Sequence, residues 1–268
     1  MLDLVANIRY FLLNLNPLII LAVIFIFGMY VFWRGCAESR KNRSSVFDMF
    51  ILSGFLSVIV GRLVYVLVEW QSFVSFIWYW LPYEKYGDKI FLFRLLPWRF
   101  FSIWDGGLVI FSMFVTLLIS LTFYAIVIKR WRWKHMFFPI YFASTSMLGA
   151  SFIATGLLGN FNEWVYKGAA LVFLIGAFFV IYKFIYMIVS SPVVEKYILG
   201  YVGLIIVWIS SVYIAYIYLI DDLSWYENIA IGVFLLWSIV MGILFLADLR
   251  KANVRIETRS SVRSVQIN

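Results

Sequence analysis

Long apolar runs alternate with short polar segments along the whole chain. Each run is close to the roughly 20 residues that a helix needs to cross about 30 Å of hydrocarbon. None shows the alternating ten-residue pattern of a membrane β-strand, and a helix satisfies every backbone amide within its own segment. The pattern therefore predicts an all-α membrane bundle with about seven transmembrane helices. The predicted spans are residues 12–33, 46–68, 106–128, 137–158, 168–189, 197–219 and 228–247.

The composition excludes a soluble domain. Hydrophobic residues make up 64% of the 268 positions, and charged residues make up 13%. So few charges cannot solvate the surface of a water-soluble fold.

The charges identify the two sides of the membrane. Cations cluster at 34–43, 129–134 and 250–263, after the first, third and seventh runs, whereas acidic residues lie at 221–227. The positive-inside rule then predicts an N-terminus outside and a C-terminus in the cytoplasm. The formal net charge of +8 is explained by this topology and by contact with anionic lipid, so no nucleic-acid partner is expected.

The chain divides into a seven-span domain, residues 1–249, and a basic cytoplasmic tail, residues 250–268, which is predicted to be disordered because it is polar. Within the domain, residues 70–104 interleave aromatic rings with cations, which is typical of an arm at the outer interface. Two interpretations of this arm stay open: a loop that lies on the membrane, and a platform over a lipid entry site.

Some polar residues fall inside or at the ends of the apolar runs, where they are functional candidates. Arg62 lies within the second run, and either binds a lipid phosphate through its planar fork of donors or pairs with Glu69. Asp105 opens the third run and either caps that helix or meets a headgroup beside the bare backbone of Gly106 and Gly107. Asn160 ends the fourth run, close to Glu163.

Familiar catalytic constellations are missing from the sequence. Cys36 is the only cysteine, which excludes an internal disulfide. The single histidine, His135, lies among cations and is interpreted as an interfacial residue. No Ser-His-Asp set, zinc spacing or phosphate-binding loop can be assembled, so neither a metal nor a cofactor is expected.

Three passages, in order, resemble the bacterial prolipoprotein diacylglyceryl transferase family. They are GFLSVIVGRLVYVL, FSIWDGGLVIF and GLLGNFNEWVYKG. The resemblance covers roughly residues 20–190 and implies a multi-pass protein of the bacterial inner (plasma) membrane. It implies transfer of the diacylglyceryl group of phosphatidylglycerol to the lipobox cysteine thiol of a prolipoprotein, with glycerol phosphate leaving.

The resemblance assigns roles to individual residues of this chain where they match the family's motifs. It makes Arg62 the phosphate clamp and Asn160 the residue that orients the headgroup. From their chemistry, Asp105, Glu163 or Glu69 could accept the proton of the thiol. The lipid-binding set is completed by Tyr65, Gly106, Gly107 and Gly159. The matching positions are Gly61, Arg62, Tyr65, Trp104, Asp105, Gly106, Gly107, Gly156, Gly159, Asn160, Phe161 and Gly168.

Other positions depart from the family. Phe111 stands where the family has a histidine, Leu157 where it has an arginine, and Val165 where it has a glutamate. A site without the histidine and that arginine is expected to lose many powers of ten in rate. The sequence therefore leaves two main hypotheses: a divergent transferase, and a catalytically dead scaffold that binds lipid or a membrane partner. A small-solute transporter is a weaker third.

Overall fold

A computed structural model of the chain describes residues 10, 15, 17–36, 42–71, 83–86, 89–92, 107–159, 162–188, 192–220 and 225–265. Seven helices in these ranges are long and apolar enough to cross a membrane, which confirms the predicted all-α membrane bundle. They are α1 (Pro17–Cys36), α2 (Arg43–Val68), α3 (Ile110–Phe123), α4 (Phe137–Gly159), α5 (Asn162–Ile188), α6 (Pro192–Ile220) and α7 (Trp225–Val265). A π-helical turn, Tyr124–Ile128, extends α3, and a 3-10 turn, Trp133–His135, precedes α4.

Contacts between helix ends show that neighbouring helices run antiparallel. Gly35 at the end of α1 packs on Pro139 at the start of α4. At the other end of the bundle, the Val109 amide just before α3 donates to the Gly61 carbonyl of α2 over 3.3 Å. The end that carries Arg34, Arg43 and the 129–134 cations is called the basic end below, and the other is the opposite end.

Helix α4 is the centre of the bundle. It packs against α1, α3 and α5, and most of its membrane-spanning residues are buried. Its small residues let neighbouring backbones approach closely, as is usual between helices in lipid. One such approach joins Gly149 to Gly168 of α5, where a Cβ on Gly168 would collide with the Gly149 carbonyl oxygen.

The buried core near the basic end is aromatic. Phe137 and Tyr141 of α4 stack on Trp237 of α7, with ring planes 25° and 14° apart. Trp237 also donates its indole N–H to the Thr122 hydroxyl of α3 over 3.1 Å. These contacts tie α3, α4 and α7 together and leave the other half of α4 to line a cavity.

The arm predicted at 70–104 contains a short hairpin that the hydropathy pattern did not reveal. Strands β1 (Tyr83–Tyr86) and β2 (Lys89–Leu92) pair antiparallel, with Tyr86 opposite Lys89. Gly87 and Asp88 separate them in the sequence, a composition that two-residue hairpins favour. The remainder of the arm, residues 72–82, 87–88 and 93–104, lies outside the described residues.

The tail differs from its predicted disorder. Helix α7 continues 15 residues beyond the membrane-spanning window, which ends at Arg250, and stops at Val265. No glycine or proline follows Gly242, so no residue interrupts the helix, and the arginines, Lys251 and Ala252 favour it. Polarity alone was therefore a poor guide to the backbone of this segment.

Candidate functional site

Arg62 is buried in the bundle although it carries a permanent charge. Only 7% of the residue is exposed, near the opposite end of α2. Its Nη1 donates to the Gly107 carbonyl oxygen over 3.0 Å. Its Cζ lies 5.3 Å from the centre of the Tyr65 ring, one turn along the same helix. A guanidinium in hydrocarbon is tolerated when it is hydrogen-bonded and stacked in this way.

The segment before α3 is hydrogen-bonded to α2 at Gly61 and at Arg62. Gly107 has φ of +72°, a left-handed conformation that side-chain-bearing residues rarely adopt. Two residues later the Val109 amide donates to the Gly61 carbonyl. A Cβ at Gly61 would collide with Met113, so this glycine permits the close approach of α3. The structure thus brings together Arg62, Tyr65 and Gly107 from two of the three motif passages.

The third predicted run and helix α3 do not begin at the same residue. Helix α3 begins at Ile110, and Val109 is at its N-cap position. The apolar run began earlier than the helix because residues 107–109 are apolar but not helical. Asp105 and Gly106 themselves lie outside the described residues.

The third passage spans the junction of α4 and α5. Gly159 is the exposed last residue of α4, and Asn160 lies outside the described residues. Glu163 is exposed in the first turn of α5, where a carboxylate complements the positive end of the helix dipole. Gly168 serves the packing of α5 on Gly149. The described part of this passage therefore shows a packing role for Gly168 and places Glu163 on the exposed first turn of α5.

Hydrocarbon occupies the position where the family has a histidine. Phe111 is 2% exposed, and its ring lies 5.7 Å from that of Phe114 and 6.4 Å from that of Phe234. A side chain so placed neither accepts nor donates a proton. Leu157, at the arginine position, is half-buried.

A partly open cavity of about 270 Å³ lies next to this cluster, between α1, α2, α3 and α4. Gly107 belongs both to its lining and to the hydrogen bond with Arg62, so the charged group stands one residue behind the cavity wall. The cavity is lined by Ile20, Leu21, Ile24, Ser57, Gly107, Leu108, Ile110, Met113, Phe114, Leu117, Ser144, Met147, Leu148, Ser151, Ala154, Thr155 and Leu158.

No protein-family model, curated protein or solved structure matches the chain. The resemblance in the three passages therefore stands on those residues alone. Within the described ranges, no group of three or more His, Cys, Asp or Glu residues is placed to hold a metal ion.

The cavity contains hydroxyls that the sequence analysis did not single out. Ser57 donates to the Gly54 carbonyl over 2.7 Å, and Ser151 donates to the Met147 carbonyl over 2.8 Å. Ser144 is fully buried, and its Oγ has no hydrogen-bond partner among the described residues. The available signal was a serine within an apolar run, but such serines commonly bond to their own helix, so sequence could not separate Ser144 from the others.

Proposed function

We propose that this chain is an integral membrane protein that binds an anionic phospholipid, on a scaffold similar to that of the prolipoprotein diacylglyceryl transferases. The lipid enters from the outer leaflet of a bacterial inner membrane, and its phosphate meets Arg62. One observation carries the proposal: a buried guanidinium lies directly behind the wall of a partly open apolar cavity.

The charges favour a phosphate over the Gly107 carbonyl as the acceptor for Nη1 of Arg62. The Gly107 carbonyl is a neutral acceptor, whereas a phosphate offers several charged oxygens that match the guanidinium fork. The bond to Gly107 already has an ionised donor, and a phosphate adds an ionised acceptor that two N–H groups of the fork can reach at once. An anionic headgroup at the cavity therefore competes with Gly107 for Arg62, while the Tyr65 ring keeps the guanidinium oriented.

Lipid retention tests this function directly. The protein is purified with an equimolar mixture of phosphatidylglycerol and phosphatidylcholine, and the bound lipids are counted by native mass spectrometry. Arg62→Met is expected to reduce the preference for phosphatidylglycerol about tenfold, equivalent to about 1.4 kcal/mol. Arg62→Lys should retain part of it, because a lysine supplies charge without the fork.

Arg132→Met is the matched control, because Arg132 is an exposed cation at the basic end. It should leave the preference unchanged. A preference that survives in Arg62→Met, or that disappears equally in both variants, contradicts the proposal.

A second candidate is the transfer reaction itself, favoured by the contact that unites the first two motif passages through Arg62 and Gly107. The thiolate sulfur of a prolipoprotein cysteine would attack the diacylglyceryl carbon that bears the phosphate. A C–S bond forms, the C–O bond breaks, and glycerol phosphate leaves with the electron pair. The thiol proton would pass to Asp105 or Glu163, since Phe111 accepts none.

Replacement of an authentic transferase tests the reaction. The gene is expressed in a host depleted of its own enzyme, and the mass of a lipoprotein is measured. A diacylglyceryl increment that is lost in Arg62→Ala supports transfer. Full membrane expression without any increment leaves lipid binding as the function and rejects transfer to that substrate.

A further inference from the structure

The cavity is closed at its inner end by two contacts between helices. The Met147 side chain occupies the space that a Cβ would need at Gly28, and the Phe25 ring does the same at Gly54. Both contacts lie further along α1 than Ile24, the last α1 residue of the cavity lining. They pack α1 closely against α2 and α4. The cavity is therefore a slot with a floor, and its walls come from neighbouring helices.

The slot is deeper than the hydrocarbon of one leaflet. Along α4 the lining runs from Leu158 near the opposite end to Ser144, a separation of 14 residues. At 1.5 Å per residue this is about 21 Å. One leaflet contributes about half of the roughly 30 Å hydrocarbon thickness. The slot thus reaches past the middle of the bilayer.

The volume and the lining restrict the occupant. About 270 Å³ is slightly below the roughly 300–1,000 Å³ of ordinary small-molecule sites. Most lining residues are aliphatic, aromatic or methionine. A narrow apolar slot about 21 Å deep suits the shape of a single extended hydrocarbon chain.

We propose that the slot takes one acyl chain of an outer-leaflet lipid and limits the length of that chain. This rests on the proposed function, in which Arg62 holds the headgroup of the same lipid. When the phosphate is bound near Gly107, the length of the acyl chain determines how deep its methyl end lies in the slot. The residues that meet a long chain are Leu117, Ser144 and Met147.

Ser144 and Leu117 determine where the floor lies. Ser144 is fully buried at the inner end of the α4 lining, so a larger side chain there would shorten the slot. Leu117 is buried in the α3 part of the lining, so a smaller side chain there would lengthen the slot. Chain length is then limited by the bulk of the side chains at the floor.

The experiment compares phosphatidylglycerols that differ only in their saturated chains, of 12, 14, 16 and 18 carbons. The protein is equilibrated with an equimolar mixture, and the retained species are quantified by native mass spectrometry. Ser144→Leu fills the floor and should lower the ratio of 18-carbon to 12-carbon lipid about threefold. Leu117→Ala should raise it about threefold, since it lengthens the slot.

Two control variants each remove a serine hydroxyl with little change in side-chain volume. Ser144→Ala removes the hydroxyl with little change in volume, so it should leave the chain-length distribution unchanged. Ser211→Ala alters a buried serine of α6 that is not part of the lining and should leave the distribution unchanged. Because Leu117→Ala and Ser144→Leu act in opposite directions, a general loss of folding cannot mimic the pair.

Different results would contradict the limit on chain length and the proposed binding of an anionic phospholipid. If phosphatidylglycerol is preferred over phosphatidylcholine but every chain length is retained equally in all variants, the slot does not measure the chain. If the wild type shows no preference for phosphatidylglycerol, the proposed function fails first. Shifts in the same direction for both lining variants also overturn the inference.

Discussion

Gly107 couples the charge of Arg62 to the shape of the cavity. Its carbonyl accepts the Arg62 hydrogen bond, its φ of +72° turns the chain towards α3, and its surface lines the slot. A Cβ at this position would collide with the Tyr65 ring and the Arg62 guanidinium. The residue is therefore restricted by its backbone conformation and by the space around it.

Gly107→Ala is expected to lower the free energy of unfolding by about 1–3 kcal/mol, because the left-handed conformation and the collision both oppose a side chain. Denaturant titration in mixed micelles measures this change. The same variant should weaken phosphatidylglycerol retention, since Arg62 is displaced from its position.

Gly176→Ala is the control for this substitution. Nothing lies within 4 Å of a Cβ at Gly176, which is exposed on α5. Alanine should be neutral or stabilising there by up to about 1 kcal/mol, because glycine is the poorer helix former. An equal loss of stability in the two variants would show that the structural role assigned to Gly107 is wrong.

Single residues differ in how far sequence could identify them. Arg62 was found because a charge within an apolar run is costly, whichever neighbours it has. Its acceptor was not found, because the Gly107 carbonyl is set by the tertiary approach of α3 to α2. The start of α3 was predicted too early because hydropathy marks where an apolar run begins, whereas the helix begins at Ile110.

At the scale of elements, hydroxyl groups join α4, α6 and α7 within the apolar interior. The Tyr141 hydroxyl donates to the Val207 carbonyl over 3.0 Å and lies 2.8 Å from the hydroxyls of Ser210 and Ser211. Ser211 in turn lies 2.9 Å from the Ser238 hydroxyl. Lipid provides little hydrophobic drive between helices, so such bonds contribute to their specific association.

Tyr141→Phe is expected to cost about 0.6–1.7 kcal/mol of unfolding free energy, the usual range for a hydrogen bond between membrane helices. Ser210 retains the Ile206 carbonyl and Ser211 retains Ser238, which keeps the loss modest. Titration with a denaturing detergent gives the value. Tyr166→Phe, on the exposed face of α5, should change nothing; a larger effect there would contradict the assignment.

The seven helices were predictable because a bilayer requires both their length and their internal hydrogen bonding. The β1–β2 hairpin escaped because its eight residues carry no long hydropathy signal. The π-helical turn Tyr124–Ile128 escaped too, since its residues continue the apolar run of α3 without a break. Partners across helices, such as Tyr141 with Ser210 and Ser211, depend on packing that one sequence does not specify.

At the scale of the whole molecule, the charge pattern predicts which end of the bundle faces the cytoplasm. Exposed residues at the two ends allow this orientation to be tested. In a Cys36→Ser background, cysteines are placed at Gln71, beyond the end of α2, and at Arg132, at the basic end. Both positions are exposed. A membrane-impermeant maleimide should label Gln71→Cys in intact cells and Arg132→Cys only after permeabilisation. The opposite pattern would reverse the proposed topology, and with it the leaflet that supplies the lipid.

The bundle explains why a cavity forms where it does. Near the basic end, aromatic rings from α4 and α7 fill the interior, with Phe137 and Phe245 stacked 5.2 Å apart. Near the opposite end the α4 lining consists of smaller residues such as Ser151, Ala154 and Thr155, which leave space against α1 and α3. Sequence reveals both compositions but not which helices face each other across the gap.

Helix α7 has a practical consequence for imaging. Its 41 residues extend over about 62 Å, roughly twice the hydrocarbon thickness, without a break. A helical fiducial domain joined in register near Val265 would inherit the orientation of the transmembrane segment and give a particle of only 31.4 kDa a recognisable feature outside the micelle. Electron cryomicroscopy with added phosphatidylglycerol could then observe an occupant of the slot directly.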